Sequence, residues 1–190
     1  MQQPIQAAPL LAQQLVDYQR RWPVETDTVR SFQALLEDSQ DPFVRERLAG
    51  HFTSGAWLVS ADGQRILMTH HRKLERWLQL GGHADGDRDM AQVALKEAQE
   101  ESGLPGLSVE AEAIFDLDRH WIPERKDVPG HWHYDVRYVV RAGSDENYLV
   151  SDESHDLAWR PIAEMALDPD ESLSRMARKW LARERVVGAT

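Results

Sequence analysis

The chain has 190 residues, 42% hydrophobic and 28% charged, the make-up of one globular domain able to bury a core. Its 22 Lys and Arg against 32 Asp and Glu leave a formal charge of −10, which excludes a protein built mainly to coat nucleic acid or an anionic membrane. With no cysteine, disulfides, thiolate zinc sites and cysteine nucleophiles are excluded, and a reducing, cytoplasmic setting is expected. The opening MQQPIQAAPLLAQQL has neither the basic n-region nor the long apolar core of a secretory signal. No apolar run approaches the roughly 20 residues of a membrane span.

Leu11, Leu15 and Tyr18 recur at helical spacing, and the pattern stops at Trp22-Pro23. Val29, Phe32, Leu35 and Leu36 make a second stripe. Asp41-Pro42 then reads as the cap and first turn of a third helix, with Gly50 as its stop. Residues 1–50 are therefore expected to be a helical N-terminal extension, too small for an independent domain. Residues 52–60 and 65–70 read as strands joined by a hairpin turn at Asp62-Gly63. Residues 77–80 form a short strand that runs into Gly81-Gly82. Asp87 or Asp89 caps a helix through Glu101, closed by Ser102-Gly103.

A further strand is expected at 109–117. The cleanest alternation follows: Trp132, Tyr134, Val136, Tyr138 and Val140 point one way, His131, His133, Asp135 and Arg137 the other. Leu173, Met176, Trp180 and Leu181 mark an amphipathic helix over 170–185. Its Arg175, Arg178, Lys179, Arg183 and Arg185 read as a solvated face. Strands interleaved with few helices predict an α+β fold around a mixed sheet.

Chemistry concentrates in residues 81–104, GGHADGDRDMAQVALKEAQEESGL. Glu97, Glu100 and Glu101 stand at i, i+3 and i+4, so their carboxylates share one helix face about 5–6 Å apart. Three such charges repel unless a counter-charge sits among them, and oxygen ligands of this kind suit Mg²⁺ or Mn²⁺. Alone, E-x-x-E-E reads first as a solvated acidic face. The glycine pair ahead of it, the glycine stop behind it and the opposite apolar face of Val93, Ala94 and Ala98 tip the reading towards a site.

The segment resembles the signature box of the Nudix hydrolases, G-x5-E-x7-R-E-U-x-E-E-x-G-U, with U aliphatic. Aligned without gaps over residues 82–104, Gly82, Glu97, Glu100, Glu101, Gly103 and Leu104 fall in register. Arg88 stands where the family has Glu, Lys96 where it has Arg, and Ala98 is small for the aliphatic slot. The resemblance implies an α/β/α sandwich over residues 51–190 and hydrolysis of a nucleoside diphosphate linked to another moiety. It implies Mg²⁺ or Mn²⁺ as cofactor, with Glu97, Glu100 and Glu101 as catalytic, metal-binding carboxylates and the Gly81 carbonyl as an extra ligand. Glu153, in SDESH, corresponds to a late-loop carboxylate that related enzymes use as base or ligand; it reads equally as a loop or cap residue.

The partner so implied is a small-molecule nucleoside diphosphate derivative. Arg137 and Arg88 are candidates to grip its phosphates. His131 and His133, with His120 in the loop before them, could stack on a base or relay a proton. The same residues also make an ordinary hydrogen-bonded strand surface. His70, His71, Arg72 and Lys73 form a short basic run that reads as a hairpin edge or a phosphate contact. Arg88 is expected to turn outward, leaving Lys96 to Asp85, Asp87 or Asp89. The N-terminal helices are candidates for a homodimer interface or a lid. Two other readings exist. One is a Nudix-fold nucleotide-binding or regulatory protein with weakened catalysis, kept in play by Arg88 and Lys96. The other is an isopentenyl-diphosphate isomerase relative, suggested by Gly81-Gly82-His83 and opposed by the absence of cysteine.

Overall fold

Two helices form where the apolar spacing predicts them. α1 (Ala7–Arg21) ends ahead of Pro23, a 3-10 turn follows at Pro23–Glu25, and α2 (Thr26–Leu36) carries the Val29, Phe32 and Leu35 stripe. The structure, a computed structural model, describes residues 7–72, 75–125, 128–151 and 154–187. The third helix expected behind Asp41-Pro42 does not form. Asp41 Oδ1 accepts the Phe43 N–H at 3.0 Å, closing an Asx turn, and the Pro42 carbonyl accepts from Phe52 N–H at 2.8 Å. Residues 42–49 are turns that drop Phe43 into the core.

The strands are β1 (Gly50–Val59), β2 (Arg65–His71), β3 (Arg76–Leu78), β4 (Leu80–His83), β5 (Ser108–Val109), β6 (Asp116–Ile122), β7 (His131–Arg141) and β8 (Ser154–Pro161). They form one mixed sheet of order β3-β2-β1-β7-β5, with β4 on β1, β6 on β7 and β8 on β2. β1 and β7 run parallel, from Gly50 opposite Trp132 to Val59 opposite Arg141. The other pairs are antiparallel. The strand expected at 109–117 is in fact two strands, broken over residues 110–115. His120 consequently lies within β6 and not in a loop. β8, which begins within SDESH at Ser154, has no counterpart in the sequence reading.

α3 (Met90–Ser102) begins at Asp89, whose side chain accepts the Gln92 N–H at 3.1 Å, and stops at Gly103 in the left-handed conformation, φ 65°. α4 (Ile162–Met165) and α5 (Glu171–Val187) close the chain. Alternation along β1 and β7 divides the interior in two. Phe52, Ala56, Leu58, Val136, Tyr138 and Val140 pack under α1, α2 and α3. Trp57, Val59 and Val139 pack under Leu173, Met176 and Trp180 of α5. The result is an α/β/α sandwich.

Candidate active site

α3 is held to the sheet by its apolar face, Met90, Ala91, Ala94 and Ala98, and by Ser54, whose hydroxyl donates to the Met90 carbonyl at 2.6 Å. That packing turns Glu97 and Glu101 towards β4. Glu101 is buried and its Oε1 accepts the Gly81 N–H at 2.9 Å. Glu97 lies over Gly82 so closely that a Cβ there would overlap its carboxylate. Glu100 projects outward, 61% exposed, with Lys96 Nζ at 3.8 Å. Two of the three glutamates thus converge on the Gly81-Gly82 pair and the third faces solvent beside them.

The pairing expected for Lys96 is different in the structure. Its partner is Glu100, one helical turn on, because Asp85 is taken by Arg45 and Asp89 caps α3. Arg88, which precedes the cap of α3, pairs with Asp41 at 2.7 Å and lies over the Phe43 ring, 4.8 Å from its centre.

Arg137 requires a correction. Expected on an open strand face ready for a phosphate, it is 3% exposed and every guanidinium nitrogen is engaged. Nε donates to Asp135 at 2.7 Å, Nη1 to Asp116 at 3.0 Å and Ser172 at 2.6 Å, and Nη2 to Asp118 at 3.4 Å. The supposed solvated face of α5 is corrected with it. Arg175 binds Asp116 and Asp118, and Lys179 is buried on Asp116, Glu25 and the Tyr18 hydroxyl. Burial alone would raise the Asp116 carboxyl, but the hydrogen bond from Arg175 and the charges of Arg137, Arg175 and Lys179 hold it below its ordinary value.

Beyond this network, on the face opposite α3, the N-terminal halves of β1 and β7 carry a histidine patch. His51 pairs with His133 across the two strands, His83 comes from β4, and His120 pairs with His133 from β6. Ring centres lie 5.0 Å apart for His51–His131, His51–His133, His83–His133 and His131–His133, and 5.5 Å for His120–His133. Burial, reinforced by His83 and its other histidine neighbours, pushes His133 down to about 2; burial, with Arg45 next, pushes His83 down to about 4. His51 is lowered as well, chiefly by burial. These three rings are neutral near pH 7. The sequence reading found His131, His133 and His120 and missed His51 and His83, whose membership depends on strand pairings with no local signal.

Of the basic run, His70 stacks on Trp77 at 5.2 Å and Arg72 donates to the Ser154 carbonyl at 2.8 Å, while Lys73 lies outside the described residues. Glu153 lies outside them too. No helix among the described residues is long and apolar enough to cross a membrane.

An α/β/α sandwich whose central helix turns carboxylates onto a glycine pair at the sheet is thus defined from the residues upward. The NUDIX domain family model matches residues 51–182, and the chain belongs to the Nudix family. Among solved structures, it is similar to a C. elegans Ap4A hydrolase in a binary complex, with TM-score 0.54 and 15% identity, covering 70% of this chain and 97% of that one. It is similar to the E. coli dihydroneopterin triphosphate pyrophosphohydrolase, with TM-score 0.53, 14% identity and coverage of 70% and 95%. A Nudix-family hydrolase from Clostridium perfringens gives TM-score 0.51, 24% identity and coverage of 68% and 95%. These likenesses concern the fold. No curated protein matches the chain.

Proposed function

We propose that the protein hydrolyses the diphosphate linkage of a nucleoside diphosphate derivative, with Mg²⁺ or Mn²⁺ as cofactor. The observation that carries this reading is the convergence of Glu97 and Glu101 on Gly81-Gly82. Glycine at 82 leaves the space that the Glu97 carboxylate fills, and a donor set made only of oxygens fits a hard divalent cation. Glu97, Glu100, Glu101 and the Gly81 carbonyl would hold it. When bound, such a cation neutralises phosphate oxygens and acidifies a water.

The chain's own residues supply the rest. Glu101, bonded to the Gly81 N–H, fixes β4 against α3 and so sets the distance between carbonyl and carboxylates. Glu100, the open member of the trio, is the residue this proposal assigns to accept a proton from the attacking water. Glu153 is the further carboxylate of this proposal. His131 and His133 are this proposal's candidates to stack on a base or relay a proton, His133 being the less buried of the two. The cysteine-free composition suits a cytoplasmic enzyme.

The test is product release from a panel of ADP-ribose, dinucleoside polyphosphates, nucleotide sugars and nucleoside triphosphates, with Mg²⁺ and with excess chelator. Glu100→Gln should lower kcat/KM on the best substrate by about 10²-fold or more, roughly 3 kcal/mol, with an unchanged melting temperature. Activity insensitive to chelator, or a fully active Glu100→Gln, overturns the assignment. Arg88 bound to Asp41 and Lys96 bound to Glu100 mean that the family's Glu–Arg pair has no equivalent here. That favours one second reading, a nucleotide-binding protein, which tight binding without turnover by the unmodified chain would establish.

A further inference from the structure

The histidine patch holds three imidazoles whose nitrogens converge. His51 on β1 and His131 and His133 on β7 each bring one ring nitrogen within 4.8 Å of the other two. Two of the rings are already oriented from behind. His51 Nδ1 lies 3.2 Å from the Arg47 carbonyl and His131 Nδ1 lies 2.8 Å from the Pro129 carbonyl. A carbonyl only accepts, so both rings carry their proton on Nδ1 and turn the Nε2 lone pair inward.

What those lone pairs meet is the telling point. His51 is 2% exposed, and its Nε2 is buried with no hydrogen-bond partner among the described residues. His131 Nε2 lies 3.2 Å from His133 Nε2, a hydrogen bond that His133 donates when no cation stands between them. A buried, unpaired acceptor costs free energy on the order of 1–3 kcal/mol, and native interiors rarely leave one. One cation at the centre would satisfy all three rings at once. Backbone carbonyls gripping the outer N–H groups are also the usual means by which metal-bound imidazoles are aimed.

We infer that His51, His131 and His133 form a Zn²⁺ site of three imidazoles, with a fourth position left for water or an anion. Zn–N bonds of about 2.1 Å at the tetrahedral angle set ligand nitrogens roughly 3.4 Å apart. The 3.2 Å between His131 and His133 matches that spacing, and the 4.8 Å limit on the third nitrogen leaves at most about 1.4 Å to close. Neutral nitrogen donors select Zn²⁺ over Mg²⁺, which prefers oxygen. The imidazoles and the glutamates lie on opposite faces of the sheet: β1 turns Ser54 to α3 on one face and His51 to the other. The site stands whether or not the chain hydrolyses diphosphates.

The experiment titrates the full chain, stripped of metal by chelator, with ZnCl₂ in a large excess of Mg²⁺, using a chromophoric chelator as competitor. One Zn²⁺ per chain is expected, with ¹H–¹⁵N spectra showing three histidines metallated at Nε2. His51→Gln and His131→Gln should each weaken Zn²⁺ binding by about 100-fold or more while circular dichroism stays native. Glu100→Gln should leave Zn²⁺ binding unchanged, which separates this site from the carboxylates. Failure of the unmodified chain to bind Zn²⁺ in the micromolar range overturns the inference. So does stoichiometric binding that survives both histidine changes or disappears in Glu100→Gln. If His51→Gln does not fold, His131→Gln and the imidazole spectra of the unmodified chain decide.

Discussion

Asp116 is fully buried and accepts from Arg137, Arg175 and Lys179 at 2.7–3.0 Å, so one carboxylate answers three cations. Removing it takes one acceptor from each of three cations, and breaking a buried pair from one side commonly costs about 3–5 kcal/mol. Asp116→Asn should therefore lower the urea midpoint by that order, measured by circular dichroism. The pH dependence has a defined sign. The folded carboxyl titrates below its ordinary 3.8, so its stabilisation is complete above that value and is lost only as pH falls through the lower, folded one. The gap between the native chain and Asp116→Asn should stay constant down to about pH 5 and narrow only in stronger acid. A gap already shrinking at pH 6 would contradict this account. Arg137 illustrates why the sequence misleads at this scale. Alternation correctly assigns it to the polar side of β7, but nothing local reveals that Ser172, Met176 and Arg175 of α5 roof that side.

α3 was legible because everything that defines it is local: Asp89 caps it, Gly103 stops it, Ala91, Ala94 and Ala98 face the sheet, and Glu97 and Glu101 follow from the helical period. What failed were features decided by partners distant in sequence. Asp41-Pro42 carries a helix-start signal, yet the Asx turn and the Phe52 hydrogen bond divert it. The histidine patch likewise needs the parallel pairing of β1 and β7, 82 residues apart at His51 and His133. The contact between α3 and β4 yields its own prediction. In Gly82→Ala the new Cβ overlaps the Glu97 carboxylate. Displacing a positioned group by about 1 Å can cost on the order of 10²-fold in rate. On the proposed chemistry, kcat/KM should fall by that order and the Mg²⁺ requirement should rise, with little change in melting temperature. Unaltered kinetics would mean that Glu97 does not work from its place over Gly82.

The family match begins at residue 51, yet the molecule does not divide there. Leu11, Leu15, Tyr18, Val29, Phe32 and Leu35 share one buried cluster with Phe52, Leu80 and Tyr138 of the sheet. Phe32 meets the Tyr134 ring edge-on at 5.2 Å. Polar ties cross the same boundary: Tyr138 donates to Gln14 Oε1 at 2.7 Å, and Lys179 of α5 reaches the Tyr18 hydroxyl at 2.6 Å and Glu25 at 2.7 Å. A chain cut before His51 would expose Phe52 and Tyr138 on one face of the sheet. It would also take Tyr18 and Glu25 from Lys179, which would keep Asp116. Each large apolar side chain removed from such a core costs about 2–5 kcal/mol, against a total stability of roughly 5–15 kcal/mol for a domain. Losing six, about 12–30 kcal/mol by the same measure, is as large as that total or larger. Residues 51–190 expressed alone should therefore be insoluble, or should lack a cooperative thermal transition, where the full chain melts in one step. The milder change Leu15→Ala should retain the transition and lower it by about 2–5 kcal/mol. A truncated chain that melts cooperatively near the full-length temperature would show instead that the helices are an accessory layer.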